Sequence, residues 1–404
     1  MSQELISNTI VIVSIVLMAF LLFHPRVMVS RTWRATVTPL ASIIGSGFLV
    51  LAPILIREFG DWATLVMAGL CLITYVVGAV IRWNILVLDG SFNLLPFNRP
   101  EVGLERLSAV ALTFAYVISV CYYMNLFGAF SVSLTPWSDV VYGRIVTTLF
   151  LIIIAAIGWW RGIMGMERAE QISVGVKLVI IAGLLAGMTY HVVKMLGEGS
   201  VVHNNVQMGW NSLRIAFGLL ITVQGFETSR YLEEEHDAAT RIQTMKYAQW
   251  ISTFIYIIYI GLAAMSFSLA EIGLRETAII QMTGHIASLL PILLVVAALA
   301  AQFSAAVADT NGGGGMMQEM SRGLLSSRVS YVILVVASIA LTWIANIYEI
   351  ISYASRAFAV YYGLQSMLAA FLSSRVSGMR IRTVGFALIA LLLFLVALLG
   401  IPAE

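Results

Sequence analysis

Residues 39–53 read Pro39-Leu-Ala-Ser42-Ile-Ile-Gly45-Ser46-Gly47-Phe48-Leu-Val-Leu-Ala-Pro53. They lie inside an apolar stretch, 36–56, long enough to span a bilayer, which takes about 20 such residues. Glycine and serine at its centre weaken the helix there. Backbone released from a helix at membrane depth is tolerated only where it lines a cavity or is buried in protein. The stretch therefore predicts a discontinuous helix, interrupted over 43–48. Further along, Phe217-Gly218-Leu-Leu-Ile-Thr222-Val-Gln224-Gly225-Phe226-Glu227 repeats the pattern and predicts a second interruption over 222–227.

Around these two stretches the chain is apolar throughout. Of 404 residues, 60% are hydrophobic and 11% charged, far fewer charges than a soluble surface needs. Apolar runs fall at about 6–23, 36–56, 62–82, 107–128, 140–159, 171–190, 213–230, 246–268, 288–310, 329–345, 348–371 and 383–401. The interrupted runs are five spans apart. Residues 35–190 and 213–372 each hold five spans, and an odd number inverts the second set relative to the first. The expectation is an all-α integral membrane protein of about 12 transmembrane helices, built as a five-plus-five inverted repeat. One extra span precedes it within 1–24 and another follows within 381–404. Glycines in membrane helices also serve close packing. Two interruptions at corresponding positions favour broken helices.

Residues 1–24 carry Glu4 and no Lys or Arg ahead of the apolar run, so Ile6–Phe23 reads as a retained span and not a signal peptide. With the N-terminus outside, sixteen of the 23 Lys and Arg residues fall in cytoplasmic loops, among them Arg31, Arg34, Arg241 and Arg382. Five fall on the other side: Arg57, Arg144, Lys194, Arg214 and Arg275. The positive-inside rule then sets both termini outside the cytoplasm of a bacterial-type inner (plasma) membrane. The loop 83–106 reads as holding a short interfacial helix.

Several function classes drop out. No basic cluster with interleaved aromatics suggests nucleic acid. Cys71 and Cys121 sit inside apolar runs and predict no disulfide. The five histidines lack ligand spacing, so neither a metal nor a cofactor is expected. No Ser-His-Asp order and no HExxH motif points to an enzyme.

Ile44-Gly45-Ser46-Gly47-Phe48, followed by Pro53, resembles the helix-one signature of the amino acid–polyamine–organocation (APC) superfamily. Gln224-Gly225-Phe226-Glu227 followed by Glu233–Glu235 resembles its helix six. Asn311-Gly312-Gly313 with Ser321-Arg322-Gly323 resembles the end of its helix eight, and Lys177 a lysine that many members carry on helix five. The resemblance covers about 35–372. It implies a leucine-transporter-type fold and secondary transport of amino acids or related small amines. The span before helix one and the single span after helix ten depart from the pattern.

Unwinding at Gly45–Gly47 frees backbone N–H groups beside the positive end of the following half-helix, a receptor for a carboxylate. The resemblance implies the same role. Ser42 and Ser46 add hydroxyls, and Thr222, Gln224, Gly225 and Phe226 form the opposite wall. Asn125 and one of Tyr122 and Tyr123 on the third helix are further candidates. Glu227 and Asp309 are intramembrane carboxylates, costly and therefore functional candidates. Glu227 equally fits a structural hydrogen bond to nearby backbone. Thr310 fits the hydroxyl that sodium-coupled relatives carry on helix eight. The resemblance implies that Lys177 reaches the place of that sodium ion, between helices one and eight. Pairing of Lys177 with Asp309 would make transport sodium-independent, by proton coupling or exchange. Arg356 reads as an ion pair with Glu349, seven residues earlier, or as a contact to an anionic substrate.

The partners expected are a small-molecule substrate and the lipid bilayer. A homo-oligomer stays open. The alternatives are a transporter of an inorganic ion or small anion on the same fold, and a membrane sensor or partner subunit without flux.

Overall fold

The computed structural model describes residues 3–403 apart from 46, 89–98, 162–166, 233–235, 274 and 322–323, with only the backbone at 161, 167–170, 221 and 319. Ser46, Glu233–Glu235 and Arg322–Gly323 therefore lie outside the described residues, as does the centre of the loop 83–106. The flanks of that loop belong to long helices: α5 (Ala63–Leu88) and α6 (Pro100–Val132).

Every apolar run meets helix. The first is α1 (Gln3–Leu22), then a short α2 (Pro25–Met28). The second run divides into α3 (Arg31–Ile43) and α4 (Gly47–Phe59). After α5 and α6 come α7 (Val140–Arg161) and α8 (Glu167–Glu198). The seventh run is a short α9 (Trp210–Gly218), then 3-10 turns at Leu220–Val223 and Phe226–Tyr231. The last are α10 (Ala238–Ser266), α11 (Ala278–Gly284), α12 (Leu290–Met320), α13 (Ser327–Ile344), α14 (Ile347–Ser374) and α15 (Arg380–Leu399). Among the described residues, 9 helical segments are long and apolar enough to cross a membrane by themselves. The two interrupted runs fall short as single helices at α3 and α9. In α14 the sequence Ser352-Tyr-Ala-Ser355-Arg356 dilutes the apolar character.

Both interruptions form where glycine and polar residues replace aliphatic ones. Ser30 caps α3 by accepting from Trp33 N, which satisfies one of the free amides at a helix start. The helix then stops at Ile43, and α4 starts at Gly47. In the second break Gly225 takes φ +118°, a conformation L side chains rarely adopt.

The extra span α1 packs on α8. Gly183 and Gly187 leave a groove for Ile15 and Val11: a Cβ added at Gly183 would lie 2.8 Å from Ile15, and one at Gly187 3.0 Å from Val11. Small residues at such spacing let membrane helices approach closely. Asn8 on α1 also donates to Ser288 Oγ at 3.0 Å, which ties the span to the turn before α12. At the other end of the chain α15 runs along α14, with Phe394 seated over Gly363 at 3.0 Å from an added Cβ.

Candidate functional site

The two interruptions touch. A Cβ on Gly47 would lie 2.7 Å from Thr222 Cβ, and one on Gly225 would lie 2.6 Å from the Ser42 carbonyl carbon. Glycine at these two positions is what lets the broken helices cross backbone to backbone. The sequence reading of two breaks, at 43–48 and 222–227, holds in both positions.

A broken helix leaves carbonyls without amide partners at the end of its first half. Lys177 on α8 meets that need: its Nζ donates to Ala41 O at 2.7 Å and to Ile44 O at 2.6 Å. Lys177 is 2% exposed, so the ammonium is solvated by protein oxygens. A cation is also favoured at the negative end of α3. The expected pairing of Lys177 with Asp309 is thereby corrected. The lysine lies on the α3 carbonyls, while the Asp309 carboxylate accepts from the Ser119 hydroxyl on α6. The physical reason is that α3 ends within reach of α8 and offers two unpaired carbonyls at its negative end, while Ser119 takes the Asp309 carboxylate.

The second break surrounds Glu227. Its Oε2 accepts from Gly225 N at 2.9 Å and from the Tyr362 hydroxyl at 2.6 Å. Its Oε1 is buried with no hydrogen-bond partner among the described residues. Phe226 stacks on Tyr362 with ring centroids 5.2 Å apart at 13°, and Tyr362 continues through Phe358 to Tyr116 at 6.1 and 6.2 Å. The Gln224 amide donates to the Tyr123 hydroxyl at 3.3 Å, and its Oε1 is buried without a partner among the described residues. Tyr123 Cε1 comes within 3.5 Å of a Cβ placed on Gly45, so α6 closes one side of both breaks. Thr222 turns its hydroxyl back to Leu219 O at 2.5 Å.

The other candidates stand elsewhere. Asn125 faces α13, donating to Thr342 Oγ1 at 2.9 Å and to Cys121 O at 2.8 Å. It lies two residues beyond Tyr123, and the helical turn puts it on another face. Thr310 is buried and bonds its own helix at Ala306 O, 2.7 Å away. Arg356 joins neither Glu349 nor the breaks. Its Nε donates to Ala397 O near the end of α15 at 2.6 Å, while Glu349 closes a capping box with Asn346 at the start of α14. Sequence spacing along one helix carried no information about this carbonyl on a neighbouring one.

The residues missed are Ser119, Tyr256 and Tyr362, while Tyr123 is the one of the two α6 tyrosines that faces the site. One signal was present: Tyr116, Ser119 and Tyr123 recur at helical spacing on a single face of α6.

Away from the breaks, at the end of the bundle that holds Arg82 and Arg241, a polar network joins several helices. Arg230, in the turn after the second break, donates to Glu105 at 2.8 Å and to Gln365. Gln365 donates to Glu105 Oε2 at 3.0 Å and to Ser108 Oγ at 2.7 Å. Asn84 donates to Gln365 at 2.9 Å, and Arg241 to the Arg230 carbonyl at 2.7 Å. The turn that follows Glu227 is thus held to α5, α6, α10 and α14.

Residues 25–400 match a family model described as APC superfamily transporter. The chain is 38% identical over 404 residues to an uncharacterized protein of Aquifex aeolicus (strain VF5), covering 99% of this chain and 98% of that one. Among solved structures it resembles MHP1, a nucleobase-cation-symport-1 family transporter in a closed conformation with bromovinylhydantoin bound. There the TM-score is 0.57 at 13% identity, over 91% of each chain. It also resembles a manganese transporter of Eremococcus coleocola, with TM-score 0.60 at 12% identity, over 93% of this chain and 87% of that one. At such identities these two likenesses show the fold. The family match extends over nearly the whole chain, and with it come a bilayer setting and a small-molecule substrate. This multi-pass membrane protein belongs to the APC superfamily of transporters.

Proposed function

We propose that the chain is a secondary active transporter of amino acids or related small amines, working by alternating access without sodium, through proton coupling or exchange. The observation that carries this reading is the pair of touching breaks with the Lys177 ammonium on the Ala41 and Ile44 carbonyls. In sodium-coupled relatives, the resemblance implies, a metal ion stands between helices one and eight. A fixed ammonium on helix-one oxygens does the same electrostatic work.

The chemistry on the two sides of the crossing supports a substrate with both a carboxylate and an amine. The start of α4 at Gly47 offers helix N-terminal amides to an anion. The unpartnered Glu227 Oε1 and Gln224 Oε1 offer acceptors to an ammonium. Ser42, Gly45, Ser46, Gly47, Thr222, Gln224, Gly225 and Phe226 are the proposed contact residues. Glu227 and Asp309 are the proposed proton carriers, since acids at membrane depth mark such pathways. Arg356 donates from Nε to Ala397 O on α15, which favours the amino-acid or amine reading over an anionic substrate. In this account 35–190 and 213–372 are the two repeats, 1–24 and 381–404 the added spans, and both termini lie outside the cytoplasm.

Thermal unfolding of the purified protein against amino acids, amines and simple anions tests the substrate class. A ligand at about 100 times its Kd stabilises by roughly 2.7 kcal/mol. The expected result is a rise with one amino-acid or amine class, equal in sodium and in potassium. A rise with inorganic anions alone would sink the proposal.

A further inference from the structure

Behind the crossing runs α10, unbroken from Ala238 to Ser266. It presents Tyr256 and Tyr259, both fully buried. The Tyr256 hydroxyl lies 2.9 Å from the carbonyl oxygen of Ile43 and 2.8 Å from that of Thr222. Ile43 is the last residue of α3, and Thr222 belongs to the turn inside the second break. Both carbonyls stand where a helix stops, so neither has the amide a continuous helix would supply. The Tyr256 ring is fixed in turn. It packs on Phe48 at 5.7 Å, and Phe48 stacks on Tyr259 at 4.2 Å.

A phenolic hydroxyl has one proton to donate. Here it faces two acceptors, one from each interrupted helix. We propose that Tyr256 is a positioning residue that couples the two breaks, because one shared proton holds both in the closed arrangement. The proposal rests on the alternating-access reading above. When either half-helix swings away, the proton passes wholly to the carbonyl that stays. Each open arrangement therefore keeps one bond, and only the closed one keeps both acceptors in reach. Lys177 donates to carbonyls of the first break, and Glu227 with Tyr362 braces the second. The Tyr256 hydroxyl reaches a backbone carbonyl of each.

The test uses Tyr256→Phe, which deletes the hydroxyl and keeps the ring. In a chain with Cys71 and Cys121 replaced by alanine, Ser42→Cys reports opening, since Ser42 is 8% exposed in this closed arrangement. Membrane-impermeant thiol reagents are applied to vesicles of either orientation. The closed arrangement gains only the second acceptor's share of one proton, a fraction of a net hydrogen bond of about 1 kcal/mol, so labelling should quicken by up to roughly fivefold. Tyr259→Phe on the same helix is the control. Its hydroxyl is buried without a hydrogen-bond partner among the described residues, and its removal should leave the rate unchanged. Difluorotyrosine at 256 is a stronger donor of nearly the same shape, and should slow labelling. Equal rates in the parent and Tyr256→Phe would overturn the coupling, as would faster labelling with difluorotyrosine. Labelling of the parent from both sides of the membrane keeps alternating access standing in that event. Labelling from one side only, in every variant, would remove alternating access and the coupling with it.

Discussion

Replacement of Lys177 by methionine is expected to cost about 2–6 kcal/mol of stability, because two buried carbonyls each lose a donor at roughly 1–3 kcal/mol. Methionine fills much the same space, so the loss reports on the ammonium and little on packing. The carbonyls concerned are those of Ala41 and Ile44, at the end of α3. Substitution by alanine carries a second consequence. It opens room beside the same oxygens, and a hard cation can then bind them. Thermal unfolding of Lys177→Ala should become sodium-dependent, with a higher midpoint in sodium chloride than in choline chloride. The unmodified chain should unfold at one temperature in both salts. A sodium effect of equal size in the two proteins would separate Lys177 from the cation position.

The other large effect is expected at Gly225. Its φ of +118° is unfavourable for any residue with a Cβ, and the added atom would meet Ser42 backbone at 2.6 Å and Ile43 N at 2.7 Å. These neighbours are backbone, and backbone does not rotate away as a side chain does. Gly225→Ala is expected to destabilise by about 3 kcal/mol or more, combining backbone strain with overpacking. A comparison lies within the same chain. Gly315, inside α12, has nothing within 4 Å of an added Cβ. There alanine should gain roughly 0.5–1 kcal/mol from helix propensity. Unfolding midpoints of the two variants therefore move in opposite directions. A neutral Gly225→Ala would mean that the two breaks are not in backbone contact.

These expectations also mark what can be read in the amino-acid sequence. The breaks are legible because glycine and small polar residues in a long apolar run have few uses besides packing and unwinding, and both runs carry them at the centre. Lys177 and Glu227 are legible as costly charges. Their partners are not. A backbone carbonyl has no letter in the sequence, and Lys177, Arg356 and Tyr256 all bind carbonyls from distant helices. A shared helix face suggests an ion pair of Arg356 with Glu349, but Glu349 caps its helix and the Arg356 Nε bonds α15. Tyr256 and Tyr362 carry no distinct signal, since aromatic residues line most membrane helices. Asn125 shows the limit of residue type as a guide: one polar residue on α6 faces α13, while Tyr123, two positions earlier, reaches Gln224. The short helices α2 and α11 lie in segments read as loops, where a few residues carry too little periodicity to identify.

The central claim is that Lys177 supplies the charge that a sodium ion supplies in sodium-coupled relatives. Uptake into proteoliposomes tests it most directly, using the amino acid or amine that best stabilises the purified protein. Sodium is replaced by choline on both sides at constant pH, with and without an inward proton gradient. The account predicts equal uptake in the two salts, together with a response to the proton gradient or to the same solute loaded inside. Uptake that vanishes in choline would contradict it.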